Sequence, residues 1–301
     1  MPFLMIKGTF RLVNRDKNGK LTGFEPDGDS IHFKPDKPSL LGKLKVLVKP
    51  VKLSGIGSVQ LRMEAIDALE LHYQPDKGGK SSHQPRPLAD EARDFLTGEL
   101  GLNPVPYTPP RNIRVKPPVE RDATRGYILS RSLEINGRPV SFVFFGDSAV
   151  EDGASVKLNP ALLRQSLNYQ LLLTGNAYPL FYDTLFAELR NPMAVAVRKA
   201  RKKKRGIWAQ DKTHTGLAVQ SQADLETDGV IFPKLFRRLT DFLAEGGGGL
   251  TKFMKWLEKK DEQVLDLDTK NFTHFDNMVS VKDDKVRMTH LPERIVFISA
   301  K

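Results

Sequence analysis

The stretch Val59-Gln60-Leu61-Arg62-Met63-Glu64-Ala65-Ile66-Asp67-Ala68-Leu69-Glu70 decides how this chain is read. Its first part alternates apolar Val59, Leu61, Met63 and Ala65 with polar Gln60, Arg62 and Glu64, the two-residue period of a half-buried strand. The alternation stops at Ile66. Asp67 and Glu70 follow, spaced so that a single turn at the strand's end aims both carboxylates at one point. Two acids past a strand are more often a solvated loop than a site, so the pair needs support from elsewhere in the chain.

Support comes from two other elements. Upstream lies Asp27-Gly28-Asp29-Ser30, followed by Ile31-His32-Phe33, which reads as a tight bend between strands where Gly28 permits backbone angles that a side chain forbids. The other element is a pair of arginines, Arg62 in the first strand and Arg125 in Arg121-Asp122-Ala123-Thr124-Arg125-Gly126-Tyr127. Phosphodiester hydrolysis builds negative charge on the phosphorus oxygens, and a guanidinium meets that geometry with two parallel donors. A hard cation held by Asp29 and Asp67, with a glutamate beside it for water, completes the parts of a metal-dependent nuclease.

Taken in order, Asp27-Gly28-Asp29-Ser30, Arg62, Ile66-Asp67, Glu70, Asp122, Arg125-Gly126 and Arg205-Gly206-Ile207-Trp208 resemble the staphylococcal nuclease (thermonuclease) family. The resemblance covers residues 7–211, about two thirds of the chain. It implies a five-stranded β-barrel of the oligonucleotide-binding (OB) type with helices packed on it, in a mainly β plus α fold. It also implies a calcium ion held by the side chains of Asp29 and Asp67 and the backbone carbonyl of Ala68, with Asp27 bonded to metal-bound water. Glu70 would activate the attacking water, and Arg62 and Arg125 would bind the phosphate. Tyr178, in an Ala-Tyr context, would stack on a nucleotide, with ordinary packing as the alternative. The implied activity is calcium-dependent hydrolysis of DNA or RNA with little sequence preference. The alternatives are a module that binds nucleic acid without cutting it and an interaction scaffold on the same fold. Three features depart from the family pattern: Leu69 stands where proline often precedes the glutamate, the link from Asp122 to Arg125 is shorter, and the region from Phe33 to Val59 is longer.

Composition bounds these readings. The chain has 301 residues, 40% of them apolar, and no cysteine, so disulfides, thiolate metal sites and a cysteine nucleophile are excluded. Its net charge is +11. Residues 212–301 hold 14 basic and 14 acidic side chains, so the whole excess lies in the first 211, where it would attract phosphate backbones. There is no leader-like N-terminus and no run long enough to cross a bilayer, which makes a cytoplasmic location the default expectation.

Along the chain, a first strand is expected over 3–13 and an inserted strand around Leu44, Val46, Val48 and Val51. Residues 74–87, with Gly78, Gly79, Ser81 and Ser82, read as a mobile loop beside the acids. Helices are expected over 88–100, from Asn159-Pro160 and over 182–205, the last ending in a cationic run, Arg198 to Arg205. Asn136-Gly137 marks a hairpin between Tyr127–Ile135 and Pro139–Phe145. The domains read as 1–211, nuclease-like, and 212–301, a small α+β extension without a chemical motif. In the extension, helices are expected over 233–243 and 250–259, and strands near 280, 287 and 296.

Overall fold

A strand edge with unpaired backbone groups must find a partner, and in this chain the stretch from Val59 to Met63 supplies one to two edges at once. The computed structural model describes residues 2–299. Its chain forms two compact units, one made of residues up to Glu64 with Arg93–Leu171, the other of Ala65–Ala92 with Leu172–Ser299.

The first unit is built on a seven-stranded sheet. At its centre, Phe3–Arg11 pairs antiparallel with Ala123–Leu133 on one side and His32–Pro35 on the other. Ala123–Leu133 continues through the expected hairpin into Pro139–Phe145, with Gly137 at a φ of +85° in the turn. Val59–Gln60 pairs antiparallel with His32–Pro35, and two residues later Arg62–Met63 pairs parallel with Pro139–Phe145. The amides of Leu61 and Met63 donate to the carbonyls of Ile31 and Asp29 at 2.9 and 3.1 Å, and Glu64 donates to Ser141 at 2.9 Å. One short stretch therefore bridges the two edges of the sheet and leaves a nearly closed barrel.

Alternation fills that barrel. Phe10, Phe33, Phe142 and Phe144 are buried, with Phe10 and Phe33 at a centroid distance of 5.1 Å and Phe144 stacked on Tyr127 at 4.7 Å. Each buried phenylalanine contributes roughly 1.5–3 kcal/mol. The inserted strand expected near Leu44 does not form. Pro38–Lys43 is a 3-10 helix that buries Leu40 and Leu41; Lys45 makes a single bridge to Ser132, and Val46 and Val48 are exposed. Past Lys45 no strand forms in that segment among the described residues.

The second unit holds a four-stranded sheet of Phe181–Tyr182, Ile295–Phe297, Gln263–Asp266 and Phe272–His274, and a three-stranded sheet of Leu217–Ala218, Lys285–Met288 and Val279–Lys282. The helices Ala187–Lys202, Pro233–Ala244 and Phe253–Glu258 pack with them over a core of Phe232, Phe236, Phe242, Phe253 and Phe275. The boundary expected at 211/212 falls inside this unit, because 212–299 folds together with residues from both the 65–92 and the 172–211 stretches.

Close strand approach in the barrel depends on glycine at two opposed positions, Gly8 and Gly126. A Cβ on Gly126 would lie 2.3 Å from the Phe10 ring and 2.5 Å from the Phe144 carbonyl oxygen. We expect Gly126→Ala to lower stability by about 1–3 kcal/mol, read as a reduced urea midpoint at unchanged slope.

Candidate functional site

The second unit positions the acid pair. Alternating burial ends at Met63, and Ala65 turns the chain with a φ of +67°. Ile66–Asp67 then forms a short antiparallel pair with Tyr178–Pro179, and the Leu180 amide donates to the Ala65 carbonyl at 3.1 Å. This fixes the Asp67 side chain at 0% exposure, a place where a carboxylate needs a positive partner.

That partner is Arg237. It lies on the helix Pro233–Ala244, which starts with proline in the first turn and buries Leu235, Phe236, Leu239 and Phe242. Its guanidinium grips Asp67 with two parallel bonds, Nη2 to Oδ2 at 2.8 Å and Nη1 to Oδ1 at 3.1 Å. Nη1 also donates to Glu70 Oε1. The two acids thus converge on one cationic group, the arrangement that their spacing in the sequence suggested. Burial opposes the charge on Arg237, but the Asp67 and Glu70 carboxylates outweigh it and hold its pKa above the ordinary arginine value.

Neighbouring ion pairs hold the Arg237 helix in place. Arg238 donates to both oxygens of Glu262 at 2.7 and 2.9 Å, Lys234 reaches the same carboxylate at 2.7 Å, and Asp241 accepts the Tyr73 hydroxyl at 2.9 Å and the Asp76 amide at 3.1 Å. Burial, with Asp241 beside it, pushes the Tyr73 hydroxyl well above its ordinary pKa. Gln84 exchanges bonds with the backbone of Glu70 and donates to the carbonyls of Gly229 and Ile231, while Ser82 donates to Glu226. The loop expected to be mobile is therefore anchored at both ends, and exposed side chains concentrate at its tip, residues 76–80.

Of the two readings of Tyr178, nucleotide stacking and ordinary packing, the structure has the packing one. It is fully buried, donates its hydroxyl to Asp211 at 2.8 Å and meets Trp208 and Phe232 edge-on, with centroids 4.9 and 6.0 Å away. With both ring faces inside the core it cannot stack on a base; its backbone is what steadies Asp67. Ala68 is also buried.

The remaining expected residues belong to the first unit. Asp27 closes the bend on itself, its amide bonded to the Ser30 carbonyl at 3.0 Å and its carboxylate accepting the Gly28 amide at 2.8 Å. Asp29 faces Arg62 at 3.8 Å. Arg125 is about half exposed and donates to both oxygens of Asp36 at 2.8 and 2.9 Å. Exposed pairs of this kind are worth at most about 1 kcal/mol, so Asp36 releases Arg125 easily to another anion.

Asp67, Glu70 and the Ala68 carbonyl are hard oxygen donors of the right kind for calcium, and the guanidinium of Arg237 is a stand-in cation on the two acids. Among the described residues one other set has metal-ligand character, Asp266, Asp268 and His290. Its carboxylates are already used in a turn: Asp266 accepts the Asp268 amide and the Thr269 hydroxyl, and Asp268 accepts Arg294. Among the described residues no helix is long and apolar enough to cross a membrane.

No protein-family model matches this chain, and neither does any curated protein to which it was compared. Sequence reasoning missed Arg237 altogether. Its only trace in the sequence is Lys234, Arg237 and Arg238 within one amphipathic helix, a pattern that a solvated helix face shares.

Glu262 offers a test of the anchoring. Burial works against its charge, but Arg238 and Lys234 hold its pKa down at about 2, from an ordinary 4.5. A depressed carboxylate pKa stabilises the fold above about pH 4.5, and that contribution fades as the pH falls toward 2. It amounts to about 3 kcal/mol. We expect Glu262→Gln to lose it at neutral pH and to show a flatter acid limb in urea midpoints measured across pH.

Proposed function

We propose that this chain is a nuclease that hydrolyses phosphodiester bonds of DNA or RNA with calcium and with little sequence preference. The observation that carries the reading is the convergence of Asp67 and Glu70 on a single cation, three residues apart at the end of the stretch that bridges the barrel edges. The resemblance to staphylococcal nuclease adds the finer assignment, an OB-type barrel for the first unit, with Asp29, Asp67 and Ala68 as the positions that match the family's metal ligands.

Calcium, when bound, neutralises charge on the phosphate and makes a bound water more acidic. The chain's own groups do the rest. Glu70 accepts a proton from the attacking water, whose oxygen forms a bond to phosphorus as an ester P–O bond breaks, and the departing oxygen takes a proton from solvent and leaves as an alcohol. Arg62 and Arg125 match the arginines that, in the family resembled, donate to the phosphate oxygens as their charge grows. Asp27 orders the bend that presents Asp29. The basic surface supplies attraction that does not depend on sequence: Arg198, Lys199, Lys202, Lys203, Lys204 and Arg205 are all exposed.

A second reading, binding without hydrolysis, is favoured by one specific feature: both oxygens of Asp67 are taken by Arg237. The two readings separate in one assay. Full-length protein is incubated with plasmid and with single-stranded nucleic acid, in calcium and then in excess chelator. We expect cleavage in calcium, its loss in chelator, and a rate lower by about 100-fold or more in Glu70→Gln. Salt-sensitive binding with no cleavage in any condition would establish the second reading instead.

A further inference from the structure

Arg237 is held from two directions. Ahead of it are Asp67 and Glu70, and behind it the helix is tied down through Arg238 and Lys234 on Glu262 and through Asp241 on Tyr73 and Asp76. It is therefore a fixed component of this conformation. Calcium needs six to eight oxygen ligands at close range. Asp67 can supply its oxygens to calcium only if they are released from the guanidinium, and a guanidinium left beside the ion repels it in a weakly screened environment. The same two acids cannot serve both cations.

We propose that Arg237 is the resident cation of the Asp67–Glu70 pair and that it excludes a divalent metal from these carboxylates. The segment that reads as a motif-free extension thereby controls access to the acids. This rests on the reading of Asp67 as a metal ligand, and it gives the chain a closed state in which the arginine takes both oxygens of Asp67 and one of Glu70. Opening requires Arg237 to leave the pair, and the helix Pro233–Ala244 is the element that must yield.

The test uses full-length protein and calcium chloride alone, followed by titration calorimetry and by thermal unfolding. Wild type should show weak calcium binding and little thermal shift. Arg237→Gln should bind calcium at least about tenfold more tightly and gain a calcium-dependent rise in Tm, because a like charge has been removed from beside the ion. The gain should vanish in the double variant Asp67→Asn/Arg237→Gln, whose neutral pair also avoids a stranded buried charge. Arg237→Lys keeps the charge but lacks the fork, so it should bind calcium with intermediate affinity and decides the matter if Arg237→Gln does not fold.

The proposal is overturned if the Arg237 variants bind calcium no more tightly than wild type, or if the gain survives in the Asp67→Asn background. Cleavage reports separately on the nuclease reading. A variant that gains Asp67-dependent calcium binding yet cuts nothing retains the proposal and removes the nuclease. A wild type that cuts with calcium while binding it as tightly as Arg237→Gln does the reverse.

Discussion

Asp67 is a carboxylate with no access to water, and it exists in this fold because Arg237 meets it with two parallel bonds. Removing one member of such a pair strands the other and costs about 3–5 kcal/mol, far more than an exposed ion pair returns. That constraint fixes where the helix Pro233–Ala244 must sit within its unit. It also explains the supports behind the helix, since a guanidinium serving three carboxylate oxygens needs a rigid base. Arg238, Lys234 and Asp241 provide that base, each through a partner of opposite charge or a buried hydroxyl.

The stretch carrying the acids has two tasks with different physical demands. From Val59 to Met63 it completes a sheet, which requires alternation and open amides, and it satisfies both by pairing first with His32–Pro35 and then with Pro139–Phe145. From Ala65 onward it is buried on all sides until Glu70, so polarity no longer alternates but is concentrated in a single acid with a dedicated counter-ion. The positive φ of Ala65 separates the two regimes. A residue with a β-branched side chain would resist that backbone angle, which is a physical reason for alanine there.

This division explains what the sequence disclosed. Alternation is a local signal, so the strands Phe3–Arg11 and Pro139–Phe145 and the turn at Gly137 were legible. Apolar spacing gave the helix expected over 88–100, found at Arg86–Glu99, and the one expected over 233–243, found at Pro233–Ala244. Alternation also misled at Val46 and Val48, because it reports a period and not a partner: the two side chains are exposed, and the segment's one bridge is that of Lys45 to Ser132 among the described residues. Tyr178 stayed open between two readings for a related reason: tyrosine suits a nucleotide platform and a buried hydroxyl equally, and the position of Asp211 distinguishes them. The acids were visible through spacing. Their counter-ion was not, since Arg237 lies 167 residues beyond Glu70 and a helix arginine carries no mark of its partner.

Charge bookkeeping along the chain has the same blind spot. Residues 212–301 hold equal numbers of basic and acidic side chains, which by itself suggests an electrically plain appendage. In the folded unit several of those charges are committed: Arg237 to Asp67 and Glu70, Arg238 and Lys234 to Glu262, and Glu293 to Arg201, which in turn lies over the Trp208 ring. The cationic run at the end of Ala187–Lys202 divides accordingly. Arg201 is drawn inward, while its neighbours Lys202, Lys203 and Lys204 stay in water. A charge paired at close range contributes little field at a distance, whereas exposed like charges add. The unpaired positive charge of that run therefore lies at the exposed end of the helix, while Arg237 offsets one of the two negative charges of Asp67 and Glu70.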